Sequence, residues 1–391
     1  TLASGAAAEA VLGQADFTTG TAASPPTDKS MNRPNAVFVD HLGRLWVSDR
    51  NNARVLRFSN ASTIASHTSA DRVYGQPDFA SNTFNVTASG MINPTGVWVD
   101  GADRLWVSDE ASCRVLRFDG ITNKANGAAA DGVLGQTSFT IGSEGSGASG
   151  LQRPTGIAIT PGGSLFVACQ RGNRVLRFDR AATLPNGAAA SAVLGQSNFD
   201  DTATGLSAGG MDSPNGLAIA KDETLWVCDQ TNNRILRYDK ASTRASGAIA
   251  DGVIGQPDFV SGTSNTTAQG LSIPEGGMLV DAAGSLWVTD YGNNRVLRFP
   301  ATASKPLVRV NGRFPAKTKR ATITIRGTAS DPNGVSRILH RTGNGAWSNA
   351  AGTTTWQFTR KLKKGKNKIT IFAQDPWGDQ SIPRVITVTR K

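Results

Sequence analysis

Cysteine and histidine are scarce, at three residues each in a chain of 391. Cys113, Cys169 and Cys228 have no metal-ligand spacing, and their odd number leaves at least one unpaired within a monomer. Cys169 and Cys228 fall at strand ends of adjacent repeats, a setting for inert buried thiols rather than a reactive site. His41, His67 and His340 are the only histidines, and no metal site is predicted. No run of about eighteen apolar residues occurs, so no membrane-spanning helix is expected. No signal peptide is visible. The chain begins at Thr1 rather than Met, and we expect a processed or trimmed N-terminus that hides any export signal.

What the chain does have is repetition. The segment SPNGLAIAKDETLWVCDQTNNRILRYD, Ser213–Asp239, recurs from Arg33, Asn93, Arg153 and Ile273. The arginine that opens each R-[VI]-L-R-[FY] run marks the step: Arg54, Arg114, Arg174, Arg234 and Arg295, at intervals of 60, 60, 60 and 61 residues. Each copy holds four short runs of Val, Ile, Leu, Trp and Phe separated by Gly, Asn and Asp, which predicts four strands and their turns. One such sheet cannot bury both faces, whereas five arranged radially can. The expected fold is all-β, a five-bladed propeller over residues 1–303. The last copy stops at its third strand, Phe299. Ala3–Gln14 (ASGAAAEAVLGQ) matches the fourth-strand unit Ala245–Gln256 (ASGAIADGVIGQ), so the N-terminal strand is expected to complete the last blade and close the ring.

Alternating strand direction puts two kinds of segment on one face. One is the turn from Asp to Arg: Asp49–Arg54, Asp109–Arg114, Asp229–Arg234 and Asp290–Arg295. The other is the long crossover, such as Phe139–Arg153. The Asp–Arg pairs are expected to close turns and hold register through charge-assisted hydrogen bonds. In the third copy Cys169 replaces the aspartate, which leaves Arg174 either a free cation or in need of another acceptor. The residue after Pro in the innermost strand, Asn35, Thr95, Thr155, Asn215 or Glu275, is expected near the axial opening. Together with Arg174 these are the small-ligand candidates, set against a water-filled channel. Calcium is the cofactor to consider there, although a hard cation wants several oxygen ligands and Glu275 brings one carboxylate.

The pattern P-x-G-[IVL]-[AW]-[VI]-D, G-x-L-[WF]-V-x-D, N-x-R-[VI]-L-R-F resembles NHL-repeat propellers over about three quarters of the chain. The resemblance implies a ring of four-stranded blades and leaves activity open, since the family holds both binders and enzymes. Its peptide-amidating lyases use several metal-binding histidines; here the repeats offer only His41 and His67, at neither of the repeated strand positions. Its lactonase-like relatives use a central carboxylate or metal set, of which Glu275 is the one plausible member. Its RNA-binding members carry a strongly basic face, whereas residues before Lys305 sum to −4.

Residues 304–391 differ in kind. From Lys305 onward, 18 Lys and Arg face three acids, a net +15. Alternating segments Leu307–Val310, Ala321–Gly327, Ser336–Arg341, Thr355–Phe358, Lys368–Gln374 and Arg384–Thr389, after a linker at Thr302–Pro306, predict a small β-sandwich of about seven strands. The stretches Gly327–Ile338 and Leu362–Ser381 resemble disulfide-free bacterial Ig-like domains, which implies a secreted or surface-exposed protein. Arg360, Lys361, Lys363, Lys364, Lys366 and Lys368 crowd one hairpin. They are expected either to bind an anionic surface or polymer or to protect a strand edge. Nucleic acid is disfavoured, because Trp347, Trp356, Phe358, Phe372 and Trp377 read as core or turn positions rather than stacking platforms. The function these features favour is an extracytoplasmic binding or scaffold protein, its loops facing a protein or glycan partner. The alternative is a hydrolase or lyase at the axial mouth.

Overall fold

A computed structural model describes residues 7–282, 284–300, 306–312, 314–331, 335–374 and 380–391. The expected linker at 302–305, the tip of the turn at 332–334, Asp375, Trp377 and Asp379 lie outside them. Among the described residues every regular element is a strand or one turn of 3-10 helix.

The repeats form separate antiparallel meanders. Sheet 1 is Pro34–Val39, Leu45–Asp49, Arg54–Phe58 and Arg72–Tyr74, paired in that order. Sheets 2, 3 and 4 repeat this at Pro94–Leu134, Pro154–Leu194 and Pro214–Ile254. Sheet 5 has three strands, Pro274–Val280, Leu286–Asp290 and Arg295–Phe299. The third strand of sheets 1, 3 and 4 is buried along its whole length, because both of its faces are covered. That is why it reads as a continuous apolar run, with arginines tolerated only where they find partners.

The sheets mate by one rule. Trp46, Val55 and Tyr74 of sheet 1 share a cluster with Val97, Val99, Leu105, Val107 and Leu116 of sheet 2. Trp106, Val115 and Leu134 meet Ile157, Ile159, Leu165 and Val167 of sheet 3, and Phe166, Val175 and Leu194 meet Leu217, Leu225 and Val227 of sheet 4. Polar ties repeat as well. Ser48 Oγ donates to Thr95 O at 2.9 Å and Cys228 Sγ to Pro274 O at 2.8 Å, each in the next sheet.

The expected fourth strand of sheet 5 is not formed: Val11 and its neighbours belong to no strand. Val11 nonetheless donates to Ser66 Oγ (3.1 Å) and accepts from His67 N (2.9 Å). Val133 makes the same pair of bonds to Asn186 Oδ1 and Gly187 N in the next repeat. Leu12 packs on the cluster of Met31, Val47, Leu56 and Phe58. The N-terminal segment therefore holds the outer-strand place beside sheet 1 without a ladder to the strand at Arg295.

The described residues from Leu307 onward build two sheets over one core. Leu307–Asn311, Thr322–Ser330 and Thr355–Lys361 make the first. Lys317–Thr318, Arg384–Arg390, Gly365–Gln374, Arg337–Thr342 and Ser348–Asn349, in that spatial order, make the second. Val308, Ile325, Ile338, Trp356, Ile369, Ile371 and Val388 fill the core. The two-residue strands at Lys317 and Ser348 are additions to the sequence expectation. The chain divides into two compact units, Thr1–Leu279 with Val288–Leu297, and Val280–Trp287 with Arg298–Lys391.

Candidate functional site

The turn between strands two and three places the first candidates. Asp49 and Arg54 are direct cross-strand partners flanking a single 3-10 turn. The residue before each arginine, Ala53, Cys113, Asn173, Asn233 or Asn294, lies at φ near +50°, between 49° and 53°. Asparagine tolerates that left-handed conformation, which accounts for its presence in three copies. Arg54 Nε is 2.8 Å from Asp49 Oδ2, Arg114 Nη2 3.0 Å from Asp109, Arg234 Nε 2.6 Å from Asp229 and Arg295 Nε 2.7 Å from Asp290. In sheets 1, 2 and 4 the rest of the guanidinium ties two crossovers together: Arg54 donates to Phe79 O on one side and to Thr27 O and Ser30 O on the other, whereas Arg295 reaches one crossover, at Thr266 O, Thr267 O and Gly270 O.

Arg174 follows the same course without an acid. It donates to Phe199 O, Gly147 O and Gly150 O and is wholly buried, while its Nε has no partner. It found other acceptors and is no free cation at an opening. Cys169 in the aspartate's place is also wholly buried. Burial pushes its thiol up to about 11 despite the pull of Arg174. Burial raises Cys113 and Cys228 too, so none of the three, all outside any disulfide, offers a ready thiolate.

The five residues expected at the axial mouth divide by environment. Thr95 and Thr155 are buried and spend their hydroxyls on carbonyls: Thr95 Oγ1 on Pro154 O at 3.3 Å, Thr155 Oγ1 on Asn215 O at 3.0 Å. Asn35 is exposed, and Asn215 and Glu275 are half-buried. Among the described residues no three His, Cys, Asp or Glu side chains group as metal ligands. The two threonines act as struts between sheets, which the pattern of polar residues after proline did not foretell.

Two further features went unread. The glutamine of four V-x-G-Q units is a crossover clamp: Gln136 Nε2 donates to Cys113 O (3.0 Å) and Ser143 O (2.7 Å), as do Gln76, Gln196 and Gln256 to their own loops. Its recurrence was the available signal. The second is a 220 Å³ cavity between sheets 2 and 3, lined by Asp100, Arg104, Trp106, Ile159, Gly162, Gly163, Arg180, Ala182 and Thr183. It lies at the opposite end of the strands from the Asp–Arg turns, since Arg104 and Asp109 are the two ends of one strand.

The tail's basic run splits under the period-two geometry of a strand. Lys361, Lys363, Lys364, Lys366 and Lys368 are exposed. Arg360 turns inward with Trp356 and Phe358, and its Nε donates to His340 Nδ1 at 3.0 Å. Arg360 therefore leaves the expected docking set. The hairpin carrying the lysines is pinned by buried Asn367, which accepts from Lys363 N (2.9 Å) and donates to Lys363 O (2.8 Å) and Gly365 O (2.9 Å).

No protein-family model matches the chain, and no curated protein matches it. Among solved structures it is similar to virginiamycin B lyase from Staphylococcus aureus, at 14% identity over 90% of this chain and 94% of that one, TM-score 0.39. It is also similar to an auxiliary nutrient binding protein from Bacteroides thetaiotaomicron (14%, 69% and 59%, TM-score 0.46) and to PQQ-bound aldose sugar dehydrogenase from Streptomyces coelicolor (15%, 86% and 97%, TM-score 0.41). A lyase, a binding protein and a dehydrogenase together pass no one activity to this chain.

Proposed function

We propose that the chain is an extracytoplasmic bacterial binding protein. Its basic C-terminal sandwich, of the Ig-like kind, docks on an anionic polymer or surface, and its propeller loops face a protein or glycan partner. One observation carries the reading: five lysines stand exposed around one pinned hairpin, and no ion pair among the described residues reaches them. Unneutralised charge of one sign on a rigid support attracts polyanions through a field that salt screens. The test is retention of the full chain on a dextran sulfate matrix. Changing Lys361, Lys363, Lys364, Lys366 and Lys368 to Gln should release it at markedly lower salt. Retention at unchanged salt rejects the docking surface.

The propeller in this reading has five blades of NHL type, closed by the N-terminal strand. Support comes from two unmatched faces. Val37 is 69% exposed where its counterpart Val97 is 6% exposed. At the other end Val296 is 59% exposed where Val115 is fully buried. One is the acceptor half and the other the donor half of the interface that joins the other sheets. Leu12 would then pair with Val296 as Leu134 pairs with Val115. Amide hydrogen exchange should show residues 10–13 as protected as 132–135; open-chain exchange at residues 10–13 rejects closure.

A further inference from the structure

The cavity between sheets 2 and 3 has a specific origin. At the preceding junction, Arg44 is held on three sides: by Asp40 Oδ2 at 2.6 Å, Asp103 Oδ1 at 2.8 Å and Thr122 Oγ1 at 2.8 Å. Sixty residues on, Arg104 stands in the same place, but Gly163 replaces the second aspartate and Ala182 the threonine. Arg104 keeps Asp100 at 3.3 Å and Asp119 at 3.6 Å, and its side chain is 34% exposed against 9% for Arg44. The space vacated by the two lost side chains is the cavity. At the next junction the arginine itself is gone, replaced by Ser164, and the acid is back as Glu223, which accepts from Ser242 Oγ. At the last, Thr224 stands in for the arginine. Only the second junction keeps the cation and lacks the facing acid.

We propose that this cavity binds a small sugar acid, a uronate-sized carboxylate, independently of the tail's docking surface. The carboxylate takes the place that Asp103 fills one junction earlier. A guanidinium matches a carboxylate through two parallel hydrogen bonds, a fit that a compact ammonium lacks. Arg180, exposed at the rim, adds a second cation. Asp100 is the competitor the ligand must share Arg104 with, but its hold is long, 3.3 Å against 2.6 Å for Asp40 on Arg44, and its oxygens also accept from Trp106 Nε1 (3.1 Å), Ala102 N (2.9 Å) and Arg104 N (3.2 Å). Trp106 and Ile159 form an apolar wall for the ring's C–H groups, and side-chain-free Gly162 and Gly163 leave the room its hydroxyls occupy. A volume of 220 Å³ exceeds what one water or inorganic anion fills and falls short of a nucleotide-sized site.

The probe is glucuronate, titrated calorimetrically into the full chain, with glucose and inorganic phosphate as parallel arms. One site per chain is expected for glucuronate and none for glucose. Gly163→Asp should abolish binding by supplying the acid from within. The φ of +83° at Gly163 strains the change, but nothing lies within 4 Å of an added Cβ and Asp103 adopts a left-handed φ of 60° at the equivalent position. Arg104→Gln should weaken binding about tenfold or more. The paired change Asp103→Gly with Thr122→Ala should create a second site at the first junction. Absence of glucuronate binding in the unaltered chain, phosphate binding in its place, or binding that survives Gly163→Asp would each overturn the assignment. Thermal unfolding of each variant separates loss of the site from loss of the fold.

Discussion

The arginines of the repeats and the lysines of the tail put the same charge to opposite uses. Arg54, Arg114, Arg174 and Arg234 are wholly buried, each clasping carbonyls of two crossovers. Lys361, Lys363, Lys364, Lys366 and Lys368 are exposed around a hairpin. A count of charges along the chain cannot separate these roles, because neutralisation depends on burial and partners. The near-neutral repeats hold these four enclosed cations, whereas the tail gathers five exposed ones on a single hairpin.

The largest expected effect breaks the buried half of that contrast. Burial pushes the Asp229 carboxyl up and the Arg114 guanidinium down, in each case against the pull of the partner ion. Desolvation is thus the leading cost of these pairs, and either member left alone is worse than both removed. Asp229→Ala leaves Arg234 buried without its counter-ion and should cost about 3–5 kcal/mol of stability, measured by urea unfolding. Pairing it with Arg234→Met should recover part of that loss. If the single change costs no more than an exposed Lys→Gln in the tail, the buried pairs are not the clasps described here.

The sheets were legible in the sequence because their period is long, constant to within one residue and repeated five times. The strands fall where the apolar runs predict, from Pro34 through Phe299. The site was less legible, for reasons that differ by residue. Thr95 and Thr155 look like polar lining, but whether a hydroxyl faces water or the next sheet's carbonyl is a tertiary matter. Arg360 sits in a run of cations, and only strand alternation separates it from Lys361. The cavity depended on comparing Asp103 with Gly163 and Thr122 with Ala182 as facing partners of an arginine in the preceding copy. That pairing needs the order of the sheets, which no single repeat contains.

The last prediction turns on Arg360, the half-buried cation of the tail, the exception that sharpens the contrast. His340 is buried, stacked on Phe358 with ring centroids 3.5 Å apart, and its Nδ1 accepts from Arg360 Nε. An acceptor nitrogen cannot also carry a proton, and burial, reinforced by the Arg360 charge, pushes the imidazole down to about 4. The unfolded chain, with an ordinary histidine near 6.5, takes up a proton first as pH falls. Stability from this group is therefore full above about pH 6.5, declines as pH falls toward 4, and totals about 3 kcal/mol over that window. Hydrogen exchange in the full chain should show peptides over 337–342 and 355–361 losing protection between pH 6.5 and 4.5. Peptides over 165–178, where Cys169 stands in for the titratable acid, should hold theirs. In His340→Gln, which keeps an acceptor for Arg360 but has no proton to gain, the tail's pH slope should flatten. Identical slopes in the two chains would mean that the imidazole is not the group that Arg360 and the core hold neutral.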